Sequence, residues 1–580
     1  MVTRWLVNRT NPEFVGHLSR AASVSPICAQ ILINRGIKTP SAVSEFLNPS
    51  TAGLEDPFLL SGMQSAVTRI KHAAALGERV LVHGDYDADG VTATAIIVQA
   101  LRTAGMDVHY FVPNRVTHGY GFNQPGVDRA REVGAKLILT VDCGISSFSA
   151  TAAAAAAGID VIITDHHEPI PAAKQILRSA TEMNGFLIPE AIAVINPKLQ
   201  PEEVSRLAHL SGAGIAFKVS HALALTEGLR FTLDDLLPLL DLAALGTVAD
   251  VVPLTSENRI LIREGLRYID KALRPGIRAL KSVSGLDART VRAGLLAFTM
   301  VPRINAAGRV ADSHDAVQLL LAATDDEAVP ISVWLDRLNT ERQKIESEIY
   351  QDARSRIDQS SMDSVIVLAG ERWHPGVLGI VASKIADEFG RPAFIFSVEN
   401  GIAKGSARSI PAFDICKGLA ECSELLLTFG GHGQAAGVKL EAHRLADFEI
   451  ALSRIVRRTV PEHSLLPSLE IDADVALSAV THALASEIER LEPFGSGNPE
   501  PLLGARSLEV INPKIVGNNH LKMRLRGNLA AIDSIAFDMG AEFGQMDAPE
   551  KIDAVFTPSF NEWKGSRYLQ LVIKALRPSA

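Results

Sequence analysis

Asp165-His166-His167 follows the apolar run Val161-Ile162-Ile163-Thr164, so one acid and two imidazoles sit at the end of a strand-like segment. Upstream, His83-Gly84-Asp85-Tyr86-Asp87-Ala88-Asp89-Gly90 follows Val80-Leu81-Val82, and Val141-Asp142-Cys143-Gly144 follows Leu137-Ile138-Leu139-Thr140. Three consecutive strand-like segments thus end in carboxylate or imidazole. In the first, His83, Asp87 and Asp89 keep an H-x-x-x-D-x-D spacing that a turn can aim into one pocket. Groups packed that closely repel one another or must be desolvated, and a divalent cation removes the conflict. Carboxylate oxygens with a few imidazoles suit Mn²⁺ or Mg²⁺ better than a thiolate-type site does. The implied chemistry is two-metal phosphoester hydrolysis, with the ions about 3.5–4 Å apart. A solvated acidic turn would account for one such run, but not for three at three strand ends.

Asp142 lies between two metal-like clusters and is expected to bridge both ions. Within the triplet, His166 is the stronger ligand candidate. His167 is suited to bind substrate phosphate or to act as an acid, and Asp165 to orient a histidine from behind. Asp241 and Asp250 compete for the last ligand position. Asp250, which follows GTVA at a helix end, is favoured over Asp241, which sits inside an apolar helix. Arg303, Asn305 and Arg309 read as a turn-rich stretch of small residues, and Ser406 and Arg408 have similar neighbours. Residues 430–437 read as a glycine-rich loop offering backbone N–H groups toward a helix. Small residues let phosphate approach the backbone, and arginine clamps it bidentately. These residues are expected to form a substrate-holding surface on a second lobe, facing the metals.

The elements that must position these groups alternate. Strands are expected at 79–83, 108–112, 136–141 and 160–164, with helices at 91–103, 127–133 and 146–157. That rhythm predicts a mostly parallel sheet with helices on both faces, and ligands bind outside the carboxyl ends of such strands. One helix is expected over 234–250 and a long amphipathic one over 331–357, its stripe being Ile331, Leu335, Leu338, Ile345 and Ile349. A second alternating region starts at 364. Short strands from about 468 to 577 suggest a small OB-like barrel. The fold class is therefore α/β: a parallel-sheet domain joined by a long helix to a second α/β lobe, plus a C-terminal all-β domain. The expected divisions are 1–75 (helical), 76–325 (catalytic), 326–360 (connector), 361–462 (substrate-binding) and 463–580 (OB-like).

With 580 residues and 47% hydrophobic content, the chain reads as an ordinary multidomain globular protein. Its 57 Lys+Arg against 66 Asp+Glu give a net charge of −9, so any nucleic acid must be held by a local basic groove. Cys28, Cys143, Cys416 and Cys422 lack zinc-site spacing. No apolar run reaches about 18 residues and the N-terminus lacks a cleavable signal, so the cytosol is expected and a membrane is not.

HGDYDADG, PNR (113–115), VDCG, DHH, GTVAD, RINAAGR, GSARS and GGHGQAAG occur in that order. Together they closely resemble the DHH phosphoesterase superfamily, and within it the RecJ-type single-strand-specific 5′→3′ DNA exonucleases, over most of the chain. The resemblance implies that Asp87, Asp89, Asp142, His166 and Asp250 are metal ligands and that His83 matches the first-metal histidine of the wider superfamily. Asp85 would assist. His167, Arg303, Asn305, Ser406, Arg408 and His432 would hold substrate phosphate, Arg115 would touch the strand, and the OB-like domain would grip single-stranded DNA. The products would be 5′-mononucleotides, in repair and recombination, with a helicase and a single-strand-binding protein as partners of a monomer. A channel too narrow for duplex would make strand choice steric. The rival readings are a small-substrate phosphodiesterase or pyrophosphatase of the same superfamily, and a scaffold without activity. The C-terminal barrel argues against the first, and the complete metal motifs against the second.

Overall fold

Helices α1 (Pro12–Ala22), α2 (Pro26–Asn34) and α3 (Pro40–Leu47) each start in the same way. A polar residue (Asn11, Ser25 or Thr39) accepts a hydrogen bond from a backbone N–H two or three positions on, and proline takes the first helical position. The computed structural model describes residues 4–114, 118–119, 121–172, 180–200, 205–358, 363–461, 468–546, 549–563 and 565–579. It divides into two compact units, one holding residues 6–305, 313–332 and 470–580, the other mainly 333–469 with 306–312.

In the first unit, α4 (Met63–Leu76) leads into a parallel sheet. Its strands are β1 (Val80–His83), β2 (Val108–Phe111), β3 (Leu137–Val141), β4 (Asp160–Thr164) and β5 (Ala193–Ile195), in the order β2-β1-β3-β4-β5. Between them come α5 (Ala88–Thr103), α6 (Gln124–Val133) and α7 (Phe148–Ala156). Leu81, Ile138 and Ile163 pack with Val127, Ala130, Ala150 and Ala154 of α6 and α7. The alternate positions Val82, Leu139 and Ile162 are equally buried, as a sheet covered on both faces requires.

Three further helices matter to the site: α8 (Gly212–Ala224), α9 (Leu240–Ala249) and α10 (Ser256–Lys271). The single helix expected over 234–250 is interrupted by a 3₁₀ turn, Leu237–Leu239, around Pro238, which lacks an N–H for a continuous ladder. Lys218 of α8 and Glu257 of α10 form an ion pair at 2.7 Å with neither side chain exposed. Lys218→Met would strand a buried carboxylate, so it is expected to cost about 3–5 kcal/mol in urea unfolding. Adding Glu257→Gln to the same chain should return part of that loss.

RINAAGR is not a turn. It forms α11 (Val301–Val310), in which Ala306 and Ala307 favour helix, continuous with a π-helical stretch, Leu296–Met300, that lies just before Pro302, a residue with no N–H to give to the ladder. Then come α12 (His314–Leu321) and the 31-residue α13 (Asp325–Ser355), in which Leu335, Leu338 and Ile349 of the expected stripe are buried.

The second unit carries β6 (Ile366–Gly370), α14 (Leu378–Phe389), β7 (Ala393–Glu399), β8 (Ile402–Arg408), β9 (Thr428–His432) and β10 (Ala435–Glu441). The strand order is β6-β7-β8-β10-β9, with only β6 and β7 parallel. Residues 430–437 are therefore a β-hairpin rather than a loop running into a helix.

The C-terminal strands β11 (Leu503–Val516), β12 (His520–Arg526), β13 (Ala531–Ala536), β14 (Lys551–Trp563) and β15 (Ser566–Pro578) follow the order β11-β12-β13-β15-β14. A β14–β11 pairing closes the barrel. Its core residues, among them Leu503, Leu521, Leu525, Phe556 and Leu571, form one cluster with Leu18, Ile31, Leu32 and Leu47 of α1–α3. Among the described residues no helix is long and apolar enough to cross a membrane.

Candidate active site

The loop after β1 is fixed by its own backbone. Asp87 caps α5, its Oδ1 accepting from the Asp89 and Gly90 amides at 3.1 Å each. The Tyr86 amide donates to Asp85 Oδ1 at 2.8 Å. A Cβ on Gly90 would lie 2.7 Å from Asp85, so the loop closes only on glycine. From outside, Asn305 Oδ1 accepts from the Ala88 amide at 2.8 Å and Ser313 Oγ donates to the Tyr86 carbonyl at 2.6 Å.

Asp89 is clamped by the first turn of α8, whose Gly212 and Ala213 amides donate to its two oxygens at 2.6 and 2.9 Å. A helix N-terminus favours a carboxylate there. Asp142 follows β3 in the left-handed region, with φ +61°. Its carboxylate occupies the space where a Gly212 side chain would begin, since a Cβ there would be 2.6 Å from Oδ1. His166 Nε2 lies 3.1 Å from Asp142 Oδ1, 3.6 Å from Asp250 Oδ2 and 3.9 Å from Asp89 Oδ2. Asp250 is the C-terminal cap of α9, its amide still donating to the Gly246 carbonyl at 3.0 Å.

Among the described residues three overlapping triads result: Asp142, His166 and His167; Asp89, His166 and Asp250; Asp85, Asp87 and Asp142. In each, one ligand atom per residue lies within 4.8 Å of the others. Burial first, and neighbouring carboxylates second, raise Asp85 and Asp89 to about 7 and Asp250 to about 8, and hold Asp142 well above the usual range. Burial, then the His167 charge, lowers His166 to about 3, leaving a neutral imidazole. Among the described residues, the buried Asp142 Oδ1 and His166 Nε2 have no hydrogen-bond partner. Orphaned lone pairs among crowded carboxylates fit divalent cations, and the oxygen-rich donor set fits Mn²⁺ or Mg²⁺.

Asp165 stands behind the triads. It accepts from the Ile145, His166 and His167 amides at 2.9, 2.7 and 3.0 Å, and its Oδ1 lies 2.7 Å from His167 Nδ1. Burial opposes the ionised forms of both partners, but these bonds outweigh it, lowering Asp165 to about 2 and raising His167 to about 9. The raised histidine contributes stability that is complete below its ordinary 6.5 and lost as pH rises through about 9. The depressed acid contributes stability present above its ordinary 3.8 and lost as pH falls through about 2. In EDTA, the melting-temperature gap between wild type and His167→Gln should therefore be widest near pH 5–6 and close above about pH 9.

The structure does not bring every expected residue here. His83 joins none of the triads. As the last residue of β1 it still obeys the strand's alternation, which puts its ring between Phe111 and Phe122, with Nδ1 3.7 Å from Cys143 Sγ. Burial pushes its pKa down to about 4. Asp241 is held bidentately by Arg274 at 2.8 and 3.1 Å, whereas Asp250 shares a triad with Asp89 and His166. Asn305 braces the Ala88 amide, and Arg303 donates to the Thr299 and Val283 carbonyls. Arg115 lies outside the described residues.

In the second unit, Arg408 pairs with Ala435, which pairs with His432, and Ser406 pairs with Gly437 two positions along. Directly opposed residues share a sheet face, so Ser406, Arg408 and His432 lie on one face. A Cβ on Gly379, in the first turn of α14, would be 3.6 Å from Ser406 Oγ. Among the described residues Arg408 Nε is buried without a partner, and Arg309 donates to the Gly376 carbonyl at 3.0 Å. Sequence reasoning missed the Gly212 and Ala213 amides and Ser313. Ser211-Gly212-Ala213-Gly214 does carry the signal of a capped helix start, with Ser211 Oγ accepting from the Gly214 amide.

Residues 79–247 match the DHH family N-terminal domain, 362–458 the DHHA1 domain and 471–575 the RecJ OB domain. The single-stranded-DNA-specific exonuclease RecJ of Bacillus subtilis is 37% identical over 576 residues, spanning 98% of this chain and 70% of that protein. Its counterpart in Escherichia coli is 34% identical, spanning 96% of each. The crystal structure of RecJ from Thermus thermophilus in complex with Mn²⁺ superposes with a TM-score of 0.83 at 32% identity, covering all of this chain and 80% of that one. A Mg²⁺ complex of the same protein gives 0.78 at 30% identity, covering all of this chain and 79% of that one. Fold, triads and near full-length similarity agree, and the chain belongs to the RecJ family of the DHH phosphoesterases.

Proposed function

We propose that this chain is a Mn²⁺- or Mg²⁺-dependent, single-strand-specific 5′→3′ DNA exonuclease that releases 5′-mononucleotides and acts in DNA repair and recombination. The observation that carries the reading is the meeting of Asp89, Asp142, His166 and Asp250 around two buried, unpartnered ligand atoms. Asp87, Asp89, Asp142, His166 and Asp250 would hold two ions, with Asp142 between them and Asp85 alongside. When bound, such ions supply an activated water and offset charge on the phosphoryl oxygens. With Nδ1 engaged by Asp165, His167 has Nε2 left for a phosphate oxygen or for protonating the leaving 3′-oxygen. Ser406, Arg408, His432 and Arg309 would take the terminal phosphate, and the barrel would hold the strand through its backbone. In this reading the domains run 1–75, 76–325, 326–360, 361–462 and 463–580. The protein works as a cytoplasmic monomer, supplied by a helicase and a single-strand-binding protein.

The test is digestion of 5′-labelled and 3′-labelled single strands and matched blunt duplex with Mn²⁺, Mg²⁺ or EDTA. The expected result is early release of labelled mononucleotide from the 5′ end, intact duplex and no reaction in EDTA. Hydrolysis of pyrophosphate or dinucleotides with long strands untouched would overturn the proposal in favour of a small-substrate enzyme.

A further inference from the structure

Two rings at the rim of the metal loop have no part in the chemistry above. Tyr110, next to the carboxyl end of edge strand β2, stacks on His314 with ring centroids 5.0 Å apart and planes 20° from parallel. His314 is exposed and starts α12, directly after Ser313, whose Oγ holds the Tyr86 carbonyl between Asp85 and Asp87. Gln318, one helical turn on, places Nε2 3.1 Å from His314 Nε2, and Tyr110 Oη is 3.5 Å from the same atom. The pair is therefore a fixed slab, tied through one buried serine to the loop that carries the acids. Tyr110 pairs with Val82, the residue before His83, so the slab flanks the ligand-binding end of the sheet.

We infer that Tyr110 and His314 form a stacking platform for a nucleobase of the strand being degraded. This rests on the exonuclease reading above. An enzyme that walks through any sequence cannot rely on base-edge hydrogen bonds, whereas every base has a face to stack. Tyr110 is half-buried at the sheet edge and His314 is exposed, so the imidazole is carried at the surface on a ring anchored in the fold. Rings already held in place lose little freedom when a base lands on them.

The experiment is a cycle between protein and substrate. Single strands carrying one abasic residue, moved position by position from the 5′ end, are digested by wild type, Tyr110→Leu, His314→Leu and His314→Phe. Wild-type kcat/KM should fall about tenfold when the abasic residue occupies the platform position. His314→Leu should show a similar loss on the intact strand and little further loss on that abasic strand, and His314→Phe should recover most of it. Retention of the Mn²⁺-induced melting shift shows that the Leu variants are folded. Should either misfold, the Phe variant alone still reads the platform, through whether the positional abasic penalty survives. Losses that simply multiply at every position overturn this inference alone. A wild type that degrades no single strand overturns the exonuclease reading and this inference with it.

Discussion

Asp142→Asn is expected to lower exonuclease kcat by about 10³-fold or more while leaving the metal-free protein at least as stable as wild type. Asparagine suits the test because it tolerates the positive φ of this position, where alanine would be strained. Activity falls because Asp142 belongs to two of the three triads and its Oδ1 faces His166 Nε2 without another partner. Stability does not fall, because the carboxylate is buried and raised well above its usual range by that burial and by Asp89 and Asp87. A carboxylate whose folded value is raised weakens the folded state as pH climbs past its ordinary value, so the gap in favour of the Asn variant in EDTA should widen from pH 4 to pH 8. Adding Mn²⁺ should reverse the order, since metal binding raises wild-type stability by mass action and the variant lacks a carboxylate proposed to hold the metal. Melting curves in EDTA and in Mn²⁺, beside strand digestion, check both halves. A variant destabilised in EDTA would mean that Asp142 supports the fold rather than the metals.

Gly212→Ala is expected to cost about 10²-fold in activity or more without replacing any titratable group. The added carbon would sit 2.5 Å from Asp142 Cβ and 2.6 Å from Cγ and Oδ1. Either Asp142 moves or the first turn of α8 moves, and that turn holds both oxygens of Asp89. Both routes misplace a ligand, so Mn²⁺ titration by calorimetry should show weaker binding or fewer than two ions. Gly294→Ala is the control: it lies in a helix with nothing within 4 Å of the new carbon, and should leave activity and metal binding intact. If Gly212→Ala bound two ions with wild-type affinity, α8 would have no part in setting the site.

The parallel sheet and its polar strand ends were legible because an apolar run that stops at a carboxylate is a strong, local signal. What separated His83 from His166 was not. Both follow apolar runs, but His83 is still paired within β1, whereas His166 lies two residues past the end of β4. Only the observed register distinguishes a residue fixed by the pleat from one released by it. Asp241 and Asp250 differ through Arg274, a partner distant in sequence, and the clamp on Asp89 is backbone, which residue type scarcely encodes. Small residues misled twice. Those of 301–310 wind into a helix and those of 430–437 into a hairpin, because alanine and glycine report available space more than turn geometry.

The joint core of α1–α3 and the C-terminal barrel has a consequence for how this protein is made. During synthesis Leu18, Ile31 and Leu32 emerge long before the barrel strands that bury them. The parallel-sheet domain between them can assemble while its flanks wait, so the joint core forms by a long-range docking. Until those strands arrive the apolar faces of α1–α3 stay uncovered, which favours aggregation of the growing chain. For the same reason, a barrel excised at residue 468 would lose its own cover, and fragments meant for strand-binding studies will stay in solution only if α1–α3 are supplied with them.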